Sequence, residues 1–210
     1  IRNPLAAVSN AVQLLVENEG MSESDRNLAA IVLRNTSRMN DTVNNVLELS
    51  RRVPASLEST KVNDWLPNVI KDFKDSQTKS ATVSIKGRCD PSVLLDQAQI
   101  KRVLENLMDN ALRHSEAATG DRIATLEVSE STSPRACFID VIDAGEGVPE
   151  SSQARLFEPF FTTTPEGTGL GLYLCKELCE SNGADIAYQR THDGRSSFCL
   201  SLRLQPKDIR

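Results

Sequence analysis

The sequence predicts an α+β chain in two parts. The first is an N-terminal antiparallel helical hairpin that becomes a four-helix bundle in a dimer. The second is a two-layer α/β sandwich. Three observations predict this. From Ile1 to Leu49 apolar residues repeat with coiled-coil spacing. A stretch bearing proline and serine, Pro54-Ala-Ser-Leu-Glu-Ser-Thr60, then breaks the pattern. Beyond it, amphipathic helices stand apart from strands that read as a mixed, largely antiparallel sheet.

In order, Ile1, Leu5, Val8, Val12 and Leu15 follow a 4-3-4-3 spacing, the seam of a first helix. Glu19-Gly20 breaks it, and Ser24 or Asp25 can cap a second helix. Leu28, Val32, Asn35, Met39, Thr42, Val46 and Leu49 carry the seam onward, and Ile31, Val43 and Leu47 widen it. Two helices this small cannot bury such a stripe alone. A homodimer covers it, or the arm packs on its own downstream domain. Residues 1–53 are therefore read as the hairpin, 54–61 as a linker and 62–210 as the second domain.

Within that domain a short helix is expected from Asp64 to Asp75 and a strand from Thr82 to Lys86. A short apolar run, Val93 to Leu95, follows. Asp96 to His114 reads as a strong helix, with Ile100, Val103, Leu104, Leu107, Met108, Ala111 and Leu112 on one broad face. Strands are expected at Ile123–Ser129 and Cys137–Asp143. A weakly periodic stretch rich in Phe runs to Thr168. A helix from Gly169 to Ser181 and two closing strands, Ala184–Arg190 and Ser197–Leu204, complete the chain.

The chain has 210 residues, 39% hydrophobic and 25% charged, which suits a globular protein rather than a disordered one. A net charge of −5 excludes general attraction to nucleic acid or an anionic membrane surface. The five cysteines are scattered; Cys175 and Cys179 are spaced for a metal but lack a second ligand pair, so they read as reduced core thiols. No run of about 18 apolar residues occurs. The chain begins at Ile1, already in helical pattern, and reads as a piece of a longer protein.

Three segments carry chemistry. Asn106 and Asn110 share one helix face, with Arg113 and His114 one turn on. Neutral amide oxygens ligate Mg²⁺ without cancelling its charge, and Arg113 and His114 stand within reach of a phosphate chain. Capping or buried hydrogen bonds are the plainer reading of the asparagines, and an exposed helix end that of His114. Asp143 closes the apolar strand Phe138–Ile142, with Gly145 and Gly147 just after it. It is either a turn residue or an acceptor for the exocyclic amine of adenine, beside backbone open to a flat ring. Gly167-Thr-Gly169-Leu-Gly171-Leu172 opens a helix, where free N–H groups and the positive dipole end suit phosphate. The spacing is not the dinucleotide fingerprint, and no P-loop or Ser/Thr/Tyr-kinase signature occurs. Between them, Leu156–Thr163 with its phenylalanines is either a mobile lid or a loop pinned by its aromatics.

In this order the segments resemble the N box (Asn106 to His114), first glycine box (Asp143 to Gly147), F box (Phe157 to Phe161) and second glycine box (Gly167 to Leu172) of sensor histidine kinases. The start, Ile1-Arg-Asn-Pro-Leu5, resembles the tail of that family's phosphoacceptor motif, His-Glu-Ile/Leu-Arg-Asn-Pro-Leu. The run Asn45–Arg52 is most similar to kinases that regulate pili and nitrogen metabolism. The resemblance covers essentially the whole chain, and it implies the sandwich shared with gyrase and heat-shock ATPases.

It further implies ATP as phosphoryl donor, Mg²⁺ held through Asn110, transfer to a histidine, and passage to an aspartate of a response-regulator receiver domain. The cofactor-binding candidates are Asn106, Asn110, Arg113, His114, Asp143, Gly145, Gly147, Phe157, Gly167, Thr168, Gly169, Leu170, Gly171, Leu172 and Ser196. The catalytic candidates are Asn106 and Asn3. Asn3 falls four after the acceptor histidine, where a carboxamide orients water in members that also dephosphorylate the regulator. The regulator is expected on the hairpin around Leu5 to Leu15. The parent is expected to be a bacterial inner-membrane sensor with this portion in the cytoplasm.

Two departures stand out. The acceptor histidine falls two residues before Ile1, so the chain as it stands is expected to bind ATP without phosphorylating itself. Thr164 stands where the family often carries a lid lysine, which predicts a looser lid or weaker nucleotide binding. ATPases of this superfold place a general-base glutamate where this chain has Asn106, which cannot activate water. The rival readings are such an ATPase or a nucleotide-gated scaffold; Asn106 speaks against the first and the glycine boxes against the second.

Overall fold

The structure, a computed structural model, describes residues 2–17, 21–51, 54–133, 135–164 and 167–205. Of the side chains within these stretches, those of Arg2, Asn3, Glu48, Ser50 and Arg51 are outside the description. The chain divides into two compact units, residues 1–53 with 158–173, and residues 54–157 with 174–210.

The first unit is built on α1 (Arg2–Val16) and α2 (Glu23–Arg51), which pack on each other. The cap of α2 is Ser22 rather than the expected Ser24 or Asp25. Its Oγ accepts from Asp25 N at 3.1 Å and donates to Asp25 Oδ2 at 2.7 Å. This side-chain cap starts the helix two residues before the expected Ser24 and three before Asp25. The polar residues inside the seam satisfy themselves on their own helix. Asn35 Nδ2 donates to Ile31 O at 2.9 Å, and Thr42 Oγ1 to Arg38 O at 2.8 Å. Much of the apolar stripe stays exposed, with Leu14 and Leu15 at 69% and 57% and Val8, Leu28, Val32, Met39 and Val46 also open.

The second unit begins within the stretch expected to be a linker. There, β1 (Glu58–Thr60) pairs antiparallel with β3 (Val93–Leu95). Glu58-Ser-Thr60 carries no apolar alternation, so only its distant partner makes it a strand. Next come α3 (Val62–Ser76), β2 (Thr82–Gly87), α4 (Gln97–Thr119), β4 (Ile123–Thr132) and β5 (Arg135–Asp143). The short α5 (Glu150–Gln153), α6 (Gly171–Ser181), β6 (Asp185–Arg190) and β7 (Ser196–Arg203) complete the order. The five-stranded sheet runs β2-β4-β5-β7-β6. Only β2 and β4 are parallel, and the crossover that parallel strands require contains α4. The mixed, largely antiparallel sheet expected from the sequence is thus present.

α4 lies against β4 and β5. Its face from Ile100 to Leu112 is fully buried, as are the inward residues Leu126, Ile139 and Leu200 of the strands. Burial of these large aliphatic side chains, about 2 kcal/mol each, supplies the main favourable contribution. The helix starts where the sequence places it. Asp96 is the N-cap, and its Oδ1 accepts from Ala98 N and Gln99 N, each at 3.0 Å. It ends five residues later than expected, because Ser115–Thr119 continues the helix to a left-handed C-cap at Gly120. His114 is therefore an interior helical residue rather than a helix end. At α6 the correction is the reverse: the helix starts at Gly171, since Gly169 sits at φ +68°. No helix among the described residues is long and apolar enough to cross a membrane.

Candidate functional site

Seven of the residues singled out in the sequence, Asn106, Asn110, Arg113, His114, Asp143, Gly145 and Gly147, lie on α4, at the end of β5 and in the turn after it, within the second unit. Asp143 is the last residue of β5 and only 5% exposed. Its neighbour across the ladder is Ser196, the first residue of β7, itself buried. The strand ends there because the next two N–H groups turn to side chains. Ala144 N donates to Ser115 Oγ at 3.0 Å, and Gly145 N to Asp143 Oδ1 at 2.8 Å. Asp143 is thus a turn residue whose carboxylate is buried. Oδ2 takes no hydrogen bond among the described residues.

Gly145 lies against α4. A β-carbon there would come within 2.8 Å of Asp143 Oδ1 and 3.1 Å of His114 Cβ. Only hydrogen fits, so the chain passes flush beside the helix and leaves the carboxylate uncovered. Asn106 and Asn110 are half-buried, and Asn110 Nδ2 donates to Asn106 Oδ1 at 3.4 Å. Arg113 Nη2 donates to Asn110 Oδ1, and its Nε lies 3.6 Å from Asp109 Oδ2. The two carboxamides and the guanidinium form one chain of contacts along a single helix face. His114 is exposed. Phe157 packs edge-on against Phe198, with ring centroids 6.4 Å apart.

The other candidates belong to the first unit. Gly167, Thr168 and Gly169 form the approach to α6, and Gly171 and Leu172 are its first residues. Leu170 is buried, and its N–H donates to Thr168 Oγ1 at 3.3 Å. Phe160 N donates to Gly169 O at 2.8 Å, which ties the phenylalanine stretch to the glycine run. Arg38 Nη2 donates to Gly167 O at 3.4 Å. Thr164 donates its N–H to Thr162 Oγ1 at 3.1 Å, a local turn. Asn3 lies in α1, and its side chain is outside the described residues.

Ser115, Tyr188 and Arg190 were not singled out in the sequence, yet each bonds to the backbone of residues 144–148. Ser115 lies one turn after Ala111 on the buried face of α4, and its spacing was a usable signal. Tyr188 and Arg190, two apart on a strand, share a face, but nothing in their spacing says what that face meets. The cysteines are free, four of them buried, and Cys175 Sγ lies 3.9 Å from Val103 O. Among the described residues no three His, Cys, Asp or Glu side chains cluster as a metal site.

Comparison with known proteins places this geometry. Residues 95–206 match the family described as histidine kinase-, DNA gyrase B-, and HSP90-like ATPase, and residues 1–54 match the His Kinase A (phospho-acceptor) domain. The sensor protein kinase PilS of Pseudomonas aeruginosa is 40% identical over 203 residues, 96% of this chain and 38% of PilS. The sensory histidine kinase/phosphatase NtrB of Rhodobacter capsulatus is 29% identical over 229 residues, covering 100% of this chain and 61% of NtrB. The chain thus spans less than two thirds of each of these relatives. Among solved structures, histidine kinase ThkA in complex with response regulator protein TrrA has the same fold. Its TM-score is 0.70 at 23% identity, over 99% of this chain and 59% of that one.

Proposed function

The chain belongs to the histidine kinase-, DNA gyrase B-, and HSP90-like ATPase family, as a two-component sensor histidine kinase, and on that premise we propose that it binds ATP and donates the γ-phosphoryl group to a histidine. One observation carries the reading. A carboxylate only 5% exposed, Asp143, has one oxygen committed to Gly145 and the other without a partner among the described residues. That is an acceptor kept for a donor from outside, and the exocyclic amine of adenine matches it. Gly145 and Gly147 leave the backbone open to the base, and Ser196 lies beside the carboxylate.

Asn106 and Asn110 fit Mg²⁺ as oxygen donors: both are neutral, half-buried and adjacent on one face. The ion would neutralise phosphate charge. Asn110 would hold it, once Arg113 releases the Asn110 oxygen and turns to the phosphates together with His114. Asn106 has no basic function, so this chain does not activate water beside the γ-phosphate, and the phosphoryl group is conserved for a histidine. Gly167 to Leu172 supplies phosphate contacts from the N-terminus of α6. The stretch from Phe157 serves as the lid, looser for having Thr164 in place of lysine.

The acceptor histidine would lie two residues before Ile1, and a receiver domain would take the phosphate on α1 around Leu5 to Leu15. The exposed stripe of α1 and α2 supports a homodimer. Asn3 would orient water for dephosphorylation of the regulator. We place this portion on the cytoplasmic side of a membrane sensor.

A turnover assay tests the reading against an ATPase. With MgATP, calorimetry gives one-site binding while steady-state phosphate release stays at background. Sustained hydrolysis at rates of an ATPase contradicts it.

A further inference from the structure

Resting on the nucleotide site proposed above, we propose that Tyr188 and Arg190 form a clamp that positions the adenine-recognising loop and sets base selectivity. Both are on β6, an outer strand of the sheet, at positions two apart and so on one face. Tyr188 Oη accepts from Val148 N at 2.9 Å. Arg190 Nη2 donates to Glu146 O at 2.9 Å, and Nη1 to Gly194 O at 2.8 Å. The two side chains thus take hold of the backbone on either side of Gly147.

The fit around Gly147 is close. Its φ is +80°, in the left-handed region, and a β-carbon there would come within 2.7 Å of Arg190 Nη2 and 2.8 Å of Tyr188 Oη. The clamp closes over the residue only because the residue has no side chain. Its base is rigid. The Tyr188 ring packs on Phe198 at 5.4 Å, and Phe198 on Phe157 at 6.4 Å. Phe198 is buried.

The loop from Ala144 to Val148 is therefore fixed from two directions. Ser115 and Asp143 hold its start, and Tyr188 and Arg190 hold its end. The start provides the acceptor for the base. The end fixes where the loop, and with it the Asp143 acceptor, stands against the edge of the base, and hence whether the amine of adenine is preferred to the carbonyl of guanine. A single guanidinium bridges two carbonyls from different segments, which a lysine ammonium on a longer flexible stem does not reproduce.

The test is calorimetric titration of the 210-residue chain with ADP and, separately, GDP, alongside thermal unfolding. Tyr188→Phe keeps the ring packing and removes only the acceptor. It is expected to lower ADP affinity about fivefold, the worth of one hydrogen bond, and to leave GDP binding and the melting temperature nearly unchanged. Arg190→Lys, which keeps the charge, is expected to do the same. That separates positioning from simple attraction of phosphate. Unchanged ADP affinity in a folded variant overturns the clamp, and so does an equal loss for both nucleotides that follows a drop in melting temperature. Wild-type protein that binds no ADP removes the nucleotide site and the clamp together. Wild-type binding with unmoved variants removes the clamp alone.

Discussion

Asp143 and Ser196 face each other across the β5–β7 ladder, both buried, at the point where the sheet ends and the backbone turns toward α4. The pair anchors a carboxylate in the core while Gly145 keeps one side of it open. A charge so placed is expensive unless it is partnered, and its only protein donor among the described residues is one backbone N–H. In the proposed function the nucleotide is the missing partner.

Asp143→Asn separates the turn from the acceptor. The carboxamide oxygen still accepts from Gly145 N–H, so the melting temperature should move by no more than a few degrees. The charged acceptor is lost, and ATP affinity should fall about tenfold or more. Calorimetric titration checks this, and an unchanged affinity removes Asp143 from the base site.

Asn110→Ala should uncouple nucleotide binding from the metal. Chelating Mg²⁺ should weaken ATP binding to the wild type and leave binding to the variant where it already was. In a longer chain that carries an acceptor histidine, the variant should transfer no phosphate. Full transfer by Asn110→Ala refutes the metal role of this carboxamide.

Asp96 caps α4, the helix that carries Asn106, Asn110, Arg113 and His114. Burial resists ionisation of its carboxylate, but N–H groups of Gln99, Ser56 and Ala98 outweigh that and hold its pKa below the ordinary 3.8. A depressed folded pKa contributes stability that is present above 3.8 and is lost as pH falls through the folded value. Asp96→Ala should cost about 1 kcal/mol at neutral pH, and Asp96→Asn much less. Chemical denaturation between neutral and acid pH would show the wild type converging on Asp96→Ala as the carboxylate protonates.

The core thiols give an alkaline signature. Burial, with Asp185 and Glu180 nearby, pushes Cys179 up to about 12, and burial beside Asp140 does the same to Cys199. Burial also raises Cys137 and Cys175. Above the ordinary thiol value of 9.0 the unfolded chain sheds protons that the folded chain keeps, so stability falls as pH rises from there toward 12. The native protein should also resist maleimide at about pH 8 and react fully in denaturant. Rapid labelling of Cys175 or Cys179 in folded protein would contradict their placement.

What local pattern encodes was legible. The start of α4 follows from Asp96 and the apolar face behind it. The bounds of β3 follow from three apolar residues between turn signals. The order of Asn106, Asp143 and Gly167 in the sequence points to a nucleotide. What depends on distant partners was hidden. Glu58-Ser-Thr60 becomes a strand only because Val93–Leu95 lies beside it, with Ser59 Oγ donating to Gln205 Oε1. After Ser115 the last turn of α4, Glu116-Ala-Ala-Thr119, carries no large apolar residue to mark it and ends at the Gly120 cap. Tyr188 and Arg190 act on a loop forty residues away in sequence, and no spacing rule connects an outer strand to a turn.

In the proposed function the phosphoryl group goes to protein rather than to water. The direct measurement is incubation of γ-labelled ATP and Mg²⁺ with a longer chain whose histidine stands two residues before Ile1. Label is expected on that histidine, labile to acid and stable to base, and lost in Asn110→Ala. Label released as free phosphate, with none on the chain, would contradict it.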